Sequence, residues 1–172
     1  AARAALAGAA ARDGRVVSRA ELSLVLADAA LLHQLNRQYR GVDKPTNVLS
    51  FPGGAEPAPA AVAAGEAGAL APAMLGDVVL AAETVAAEAA AQGKTVADHF
   101  SHLVVHGVLH LVGYDHMSKT EAWVMESLEV EVLDRLGIAD PYRRQPLPPR
   151  SRGVPRTRAG RPHAPPRSAA RG

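Results

Sequence analysis

HGVLHLVGYDH, residues 106–116, sets three histidines at offsets of zero, four and ten, with Gly113 at offset seven. Residues four apart in a helix lie one turn apart on the same face, so a helix here lets His106 and His110 chelate one ion. A third ligand must then swing back toward that ion, and the helix must end to let it. Gly113 permits the left-handed backbone such a stop needs, and His116 follows three residues later. Three neutral imidazoles leave the fourth position of a tetrahedral zinc open, the pattern of a catalytic rather than a closed structural site. The chain has no cysteine. Thiolate sites and disulfides are therefore excluded, and one zinc per chain on His106, His110 and His116 is the metal expected. Imidazole sites also take nickel or copper, so zinc follows from ligand type and precedent.

The same spacing, H-E-x-x-H-x-x-G-x-x-H, marks a large group of zinc peptidases, the metzincins. In those enzymes the glutamate after the first histidine activates water and passes its proton to the leaving amine. Here that position is Gly107, which can do neither. Zinc still offers Lewis acidity to a phosphoryl oxygen, and phosphodiester cleavage depends on charge stabilisation at the phosphate more than on that glutamate. The altered motif leans toward phosphoryl chemistry and away from a metallopeptidase, without establishing either. Asp115 has two readings of equal weight: a proton acceptor or orienter of a ligand imidazole, or a turn-stabilising residue beside Gly113. His99 and His102 continue the stripe one and two turns earlier. They lie too far along the helix to share an ion with His116, and read as groups behind the ligands, facing substrate, or packing. His33 and His163 stand apart from the cluster.

Outward from this motif, the elements follow from periodicity and capping. Residues 1–12 are alanine-rich and helix-prone. ELSLVLAD (21–28) alternates Leu22, Leu24 and Leu26 with other residues, as a strand does. ALLHQLNRQYR (30–40) has helical spacing and meets Gly41 as a stop. TNVLSF (46–51) and LGDVVLA (75–81) are further strands, and AETVAAEAAAQ (82–92) is a helix closed by Gly93. Thr95, with Asp98 three residues on, caps the motif helix, which runs to about Val112. Ser118 and Glu121 form a capping box for a last helix over about 119–136, stopped by Gly137. On that helix Met125, Leu128, Val132 and Leu136 are expected in the core, with Trp123 beside them. Glu126, Glu129 and Glu131 read as its solvated face, and Glu83 and Glu88 as surface residues of the preceding helix. Asp77 reads as structural. The sum is one α+β domain over 1–142: a small mixed β-sheet packed with helices, its zinc site on a helix and the following turn in metzincin-like geometry. Residues 52–73 hold little but small residues and proline and are expected to be a flexible loop.

Composition sets the remaining limits. The chain has 172 residues, 48% of them hydrophobic but only 3% aromatic. That is enough for one domain with a real core, and it argues against a base-stacking RNA platform. Residues 143–172 hold nine of the 19 basic residues and none of the 17 acidic ones, so the net +2 of the whole chain conceals a body of −7. The tail, rich in arginine and proline, is expected to be disordered. It reads equally as an aid to RNA affinity through phosphate contacts or as a compositional by-product. No uncharged apolar run reaches membrane-spanning length, and no membrane partner is expected. The absence of cysteine fits a reducing cytoplasm.

A second segment changes the weight of the first. In LNRQYRGVDKPTNVLSFP (35–52), Arg40, Lys44 and Asn47 gather at a turn leading into a strand, and an arginine so placed can clamp a phosphate. Taken with LGDVVLA, HFSHLVVHGVLHLVGYDH and MESLEVEVLDRLGIADPY, the chain resembles the YbeY family of bacterial rRNA-maturation endoribonucleases over roughly residues 22–142. The resemblance implies zinc on His106, His110 and His116, and a functional role for Arg40 in the YRG segment. It also implies single-strand-specific, metal-dependent RNA cleavage in 16S rRNA 3′ maturation and ribosome quality control. The partners implied are rRNA, the small ribosomal subunit and its assembly proteins. A non-enzymatic assembly factor with a structural zinc is the alternative. Members of that family usually open with a further strand before the first helix.

Overall fold

The computed structural model describes residues 1–14, 20–53 and 73–143. The expected flexible loop, apart from its first two residues and its last, and the arginine-rich tail after Arg143 lie outside the described residues. Eight elements follow in order: α1 (Ala2–Asp13), β1 (Ala20–Ala27), α2 (Ala29–Arg40), β2 (Val48–Pro52), β3 (Ala73–Ala81), α3 (Ala82–Ala91), α4 (Val96–Leu111) and α5 (Lys119–Arg135). The molecule is α+β, with one three-stranded mixed sheet in the order β1-β3-β2. β1 runs parallel to β3 and β2 antiparallel to it.

Alternation along β3 divides the core. Val78 and Leu80 face α1, α4 and α5 in the larger cluster, while Val79 and Ala81 face Leu32 of α2 and Leu49 in the smaller one. Helices therefore cover both faces of the sheet, and β3, the central strand, is buried on both sides. β1 is an edge strand, and among the described residues nothing covers its Leu24 and Leu26, which are exposed together with Val25. Helix starts follow the capping signals. Asp28 Oδ1 accepts from Leu31 N at 2.7 Å, Thr95 Oγ1 from Asp98 N at 3.0 Å, and Ser118 and Glu121 form a reciprocal capping box.

Two expectations about α5 fail. Met125, Leu128 and Val132 are buried, but Trp123 is 65% exposed and Leu136 40% exposed. Trp123 sits two residues from Met125, about 200° around the helix and so on its outer face. Leu136 is the C-cap, where the chain turns away through Gly137. The second correction concerns Glu129, expected on the solvated face. It is fully buried, because it lies four residues after Met125 and four before Leu133, on the helix's apolar stripe.

Candidate metal centre

α4 carries His106 and His110 on one face, and the chain leaves it through Gly113 at φ 87°. That left-handed residue returns the backbone so that His116 comes back over the helix end. The ligand-capable nitrogens of His106, His110 and His116 all lie within 4.8 Å of one another. The His116 ring stacks on that of His106, with centroids 5.6 Å apart and planes 25° apart, and meets His110 edge-on at 5.0 Å. On α4, His106 Nε2 and His110 Nε2 are 3.2 Å apart.

Hydrogen bonds on the far side of each ring decide what those nitrogens are. His110 Nδ1 lies 3.0 Å from Tyr114 O. A carbonyl only accepts, so Nδ1 carries the proton and Nε2 is a bare lone pair. His106 Nδ1 lies 2.8 Å from Glu129 Oε1, and a carboxylate likewise accepts. In the neutral state two bare lone pairs then face each other, which is repulsive unless a proton or a metal cation lies between them. A tetrahedral zinc with Zn–N near 2.0–2.1 Å sets its ligand nitrogens about 3.3–3.4 Å apart, close to the spacing found. The group can hold a metal ion, and its chemistry suits a borderline-soft divalent cation. Burial pushes the His110 imidazole down to about 4, helped by His106 and His116 and opposed by Asp115 and the bond to Tyr114 O. It is therefore neutral, as a ligand must be.

Behind the histidines stands a carboxylate that the sequence places on a solvated face. Glu129 accepts from His106 through Oε1, and through Oε2 from His102 Nε2 at 2.8 Å and Tyr142 Oη at 2.6 Å. Burial alone would raise its pKa, but the bonds from His102 and His106 outweigh this and hold it down to about 2. Tyr142 is pushed the other way, well above its usual range, by burial and by the Glu129 charge. His102 thus shares Glu129 with His106. His99 is a packing histidine: it is buried and bonds Glu88 Oε2 at 2.8 Å, which also accepts from Asn47 Nδ2 at 2.8 Å. Glu88, expected to be a simple surface residue, joins α3, α4 and the entry to β2.

Gly107 is where α4 meets the sheet. A Cβ there would stand 2.7 Å from Val78 Cγ1 and 3.1 Å from Ser50 Oγ, and Ser50 Oγ donates to Gly107 O at 3.0 Å. The position that holds the peptidase glutamate is thus filled by β2 and β3. Asp115 is exposed, and its Oδ1 accepts from His116 N at 2.8 Å. Arg40 ends α2 on the other face of the sheet. It is exposed, and its side chain makes no hydrogen bond or ion pair with another described residue. Its neighbour Tyr39 packs edge-on against Phe51 of β2, with centroids 5.2 Å apart, and the adjoining Ser50 touches α4 at Gly107. The two sequence motifs therefore meet across the edge strand β2.

The sequence profile of the family described as Endoribonuclease YbeY matches residues 3–137. The chain is 61% identical over 125 residues to the Endoribonuclease YbeY of Paramagnetospirillum magneticum, covering 73% of each chain. It is 57% identical to that of Parvibaculum lavamentivorans, covering 72% of this chain and 65% of that one. To that of Methylocella silvestris it is 50% identical, covering 77% of this chain and 68% of the other. Among solved structures, a solution structure of a Thermotoga maritima protein has a TM-score of 0.45 at 24% identity, covering 83% of this chain and 88% of that one. By the extent of the profile match and the identity to these relatives, the chain belongs to the endoribonuclease YbeY family.

Proposed function

We propose that this chain is a zinc-dependent endoribonuclease that hydrolyses phosphodiester bonds in single-stranded RNA, in 16S rRNA 3′-end maturation and ribosome quality control. The observation that carries the reading is the convergence of His106 Nε2 and His110 Nε2, with the opposite nitrogen of each ring already engaged. His106, His110 and His116 would hold the ion, which when bound supplies Lewis acidity toward a phosphoryl oxygen. Arg40 is the group that neutralises charge developing on the phosphate; its exposure, beside a Tyr39 that packs on β2, supports that role. The bond from His116 N to Asp115 Oδ1 supports the turn-setting reading of Asp115, and its other oxygen is left as the candidate proton acceptor. Peptide hydrolysis is disfavoured, because the peptidase base is replaced by Gly107 and a side chain there would strike Val78.

Residues 1–142 would act as one catalytic domain, with 143–172 an extension outside it. The partners would be rRNA, the small ribosomal subunit and its assembly proteins, met in the cytoplasm. No helix among the described residues is long and apolar enough to cross a membrane.

The test is metal content and RNA cleavage measured on one sample each of wild type, Arg40→Ala and His110→Ala, on rRNA fragments with single-stranded ends. About one zinc per chain is expected in wild type and in Arg40→Ala, with cleavage lost in both variants and zinc lost only from His110→Ala. Equal cleavage by all three proteins would mean a contaminating nuclease and would overturn the reading.

A further inference from the structure

A metal ligand needs its lone pair aimed and its proton kept on the other nitrogen. His110 gets this from a backbone carbonyl on its own turn. His106 gets it from a different helix, through the one carboxylate that is wholly inside the described core. We infer that Glu129 is a positioning residue of the metal centre, fixing His106 in the Nδ1–H tautomer with Nε2 turned toward the ion, while His102 and Tyr142 hold the carboxylate in place. The inference rests on the reading of His106 as a ligand.

Three observations support it. The carboxylate divides its work: Oε1 serves His106 alone, and Oε2 takes both His102 and Tyr142. A core ion pair would need one partner, whereas this arrangement leaves one oxygen dedicated to the ligand ring. Next, the side chains are graded in exposure, from 24% for His106 through 15% for His102 to 0% for Glu129. The network therefore runs inward from the ligand, as a group that orients the ligand must. Last, Tyr142 comes from beyond the end of α5 and also packs edge-on against His102 at 5.7 Å. The segment after Gly137 is thereby fastened to the back of the metal centre. Outer carboxylates of this kind set ring orientation, tautomer and ligand basicity, and their loss costs about 10- to 100-fold in metal affinity.

The test uses the full chain and inorganic zinc, with affinity read by competition against a chromogenic chelator. Glu129→Met keeps the volume but offers His106 no acceptor, and its zinc affinity should fall about 10- to 100-fold. Glu129→Gln should lose less. Its amide oxygen can still accept from His106 Nδ1–H, while its NH2 faces the His102 nitrogen and the Tyr142 hydroxyl, both able to accept. A purely structural residue would lower the melting temperature of both variants and leave zinc affinity within about twofold, and that result would overturn the inference. A readout independent of any variant is the 15N spectrum of the metal-free wild type, where His106 should be held as the Nδ1–H tautomer. Finding it as Nε2–H would overturn the inference even if the variants fail to fold. Wild type that binds no zinc while His106 keeps its Nδ1–H tautomer would instead overturn the metal reading above.

Discussion

Gly107→Ala is the smallest change that probes how α4 is seated. Glycine inside a helix is normally a cost, and alanine there should stabilise by about 1 kcal/mol from propensity alone. The structure predicts the reverse. The added Cβ would stand 2.7 Å from Val78 Cγ1 and 3.2 Å from Cγ2, against ordinary carbon contacts of about 3.5–4.0 Å. Something must give by nearly 1 Å. Val78 is β-branched and stiff, and it is fully buried on the central strand, paired with Leu24 and Ser50 on either side. Overpacking of this sort costs about 1–3 kcal/mol. Set against the propensity gain, the variant should be destabilised by about 0–2 kcal/mol.

A double-mutant cycle makes the sign decisive. Val78→Ala removes both clashing methyl groups, and of the three atoms nearest the new Cβ only Ser50 Oγ, at 3.1 Å, remains. In that background Gly107→Ala should stabilise, by the propensity gain plus partial filling of the cavity. The coupling between the two sites should therefore be about 1–3 kcal/mol. Urea midpoints of the four metal-free proteins measure it. If Gly107→Ala stabilises the wild type, or shifts the midpoint equally in both backgrounds, the helix–sheet contact is not what excludes a side chain. By the same reasoning Gly107→Glu, which restores the peptidase motif, should give an unstable protein rather than a protease.

Two further outcomes follow from the electrostatics and packing. Glu129 is held at about 2 against an ordinary 4.5, and His110 at about 4 against 6.5. In each case the unfolded chain takes up its proton first as pH falls, so each contribution is whole above the ordinary value and is lost through the depressed one. The metal-free protein should therefore melt progressively lower from pH 6.5 to 4 through His110, and lower still below 4.5 through Glu129. His110→Ala should flatten the upper part, and a wild-type melting temperature constant from pH 6.5 to 4 would refute this. Chelation should lower the melting temperature by mass action and leave a cooperative transition, since Val78, Leu80, Val108 and Leu128 belong to a core cluster that includes none of the three histidines. Loss of the transition in calorimetry would mark the metal as structural instead.

What could be read from the sequence is what local physics determines. The caps at Thr95 and Ser118, the stops at Gly41 and Gly113, and the spacing of His106, His110 and His116 depend only on neighbours in the chain. Each was legible and each is found. What failed depends on which element faces which. Trp123 was placed in the core because it is large and apolar, yet helical geometry turns it outward from Met125. Glu88 looked like one more surface carboxylate until α4 and the entry to β2 brought His99 and Asn47 to it.

Glu129 is the more instructive failure, because its signal was present. It shares the stripe of Met125 and Leu133, and a glutamate on an apolar stripe is either an error in the stripe or a paired group. The partner could have been sought in the histidine stripe of α4, where His102 and His106 lie one turn apart. Set against each other, the two stripes pair a buried acid with the histidines. The same comparison explains Gly107. A helix that presents histidines on one side and must lie close on β3 with the next has no room there for a glutamate, and the carboxylate that bonds His106 comes instead from another helix, on the Nδ1 side of the ring and away from Nε2.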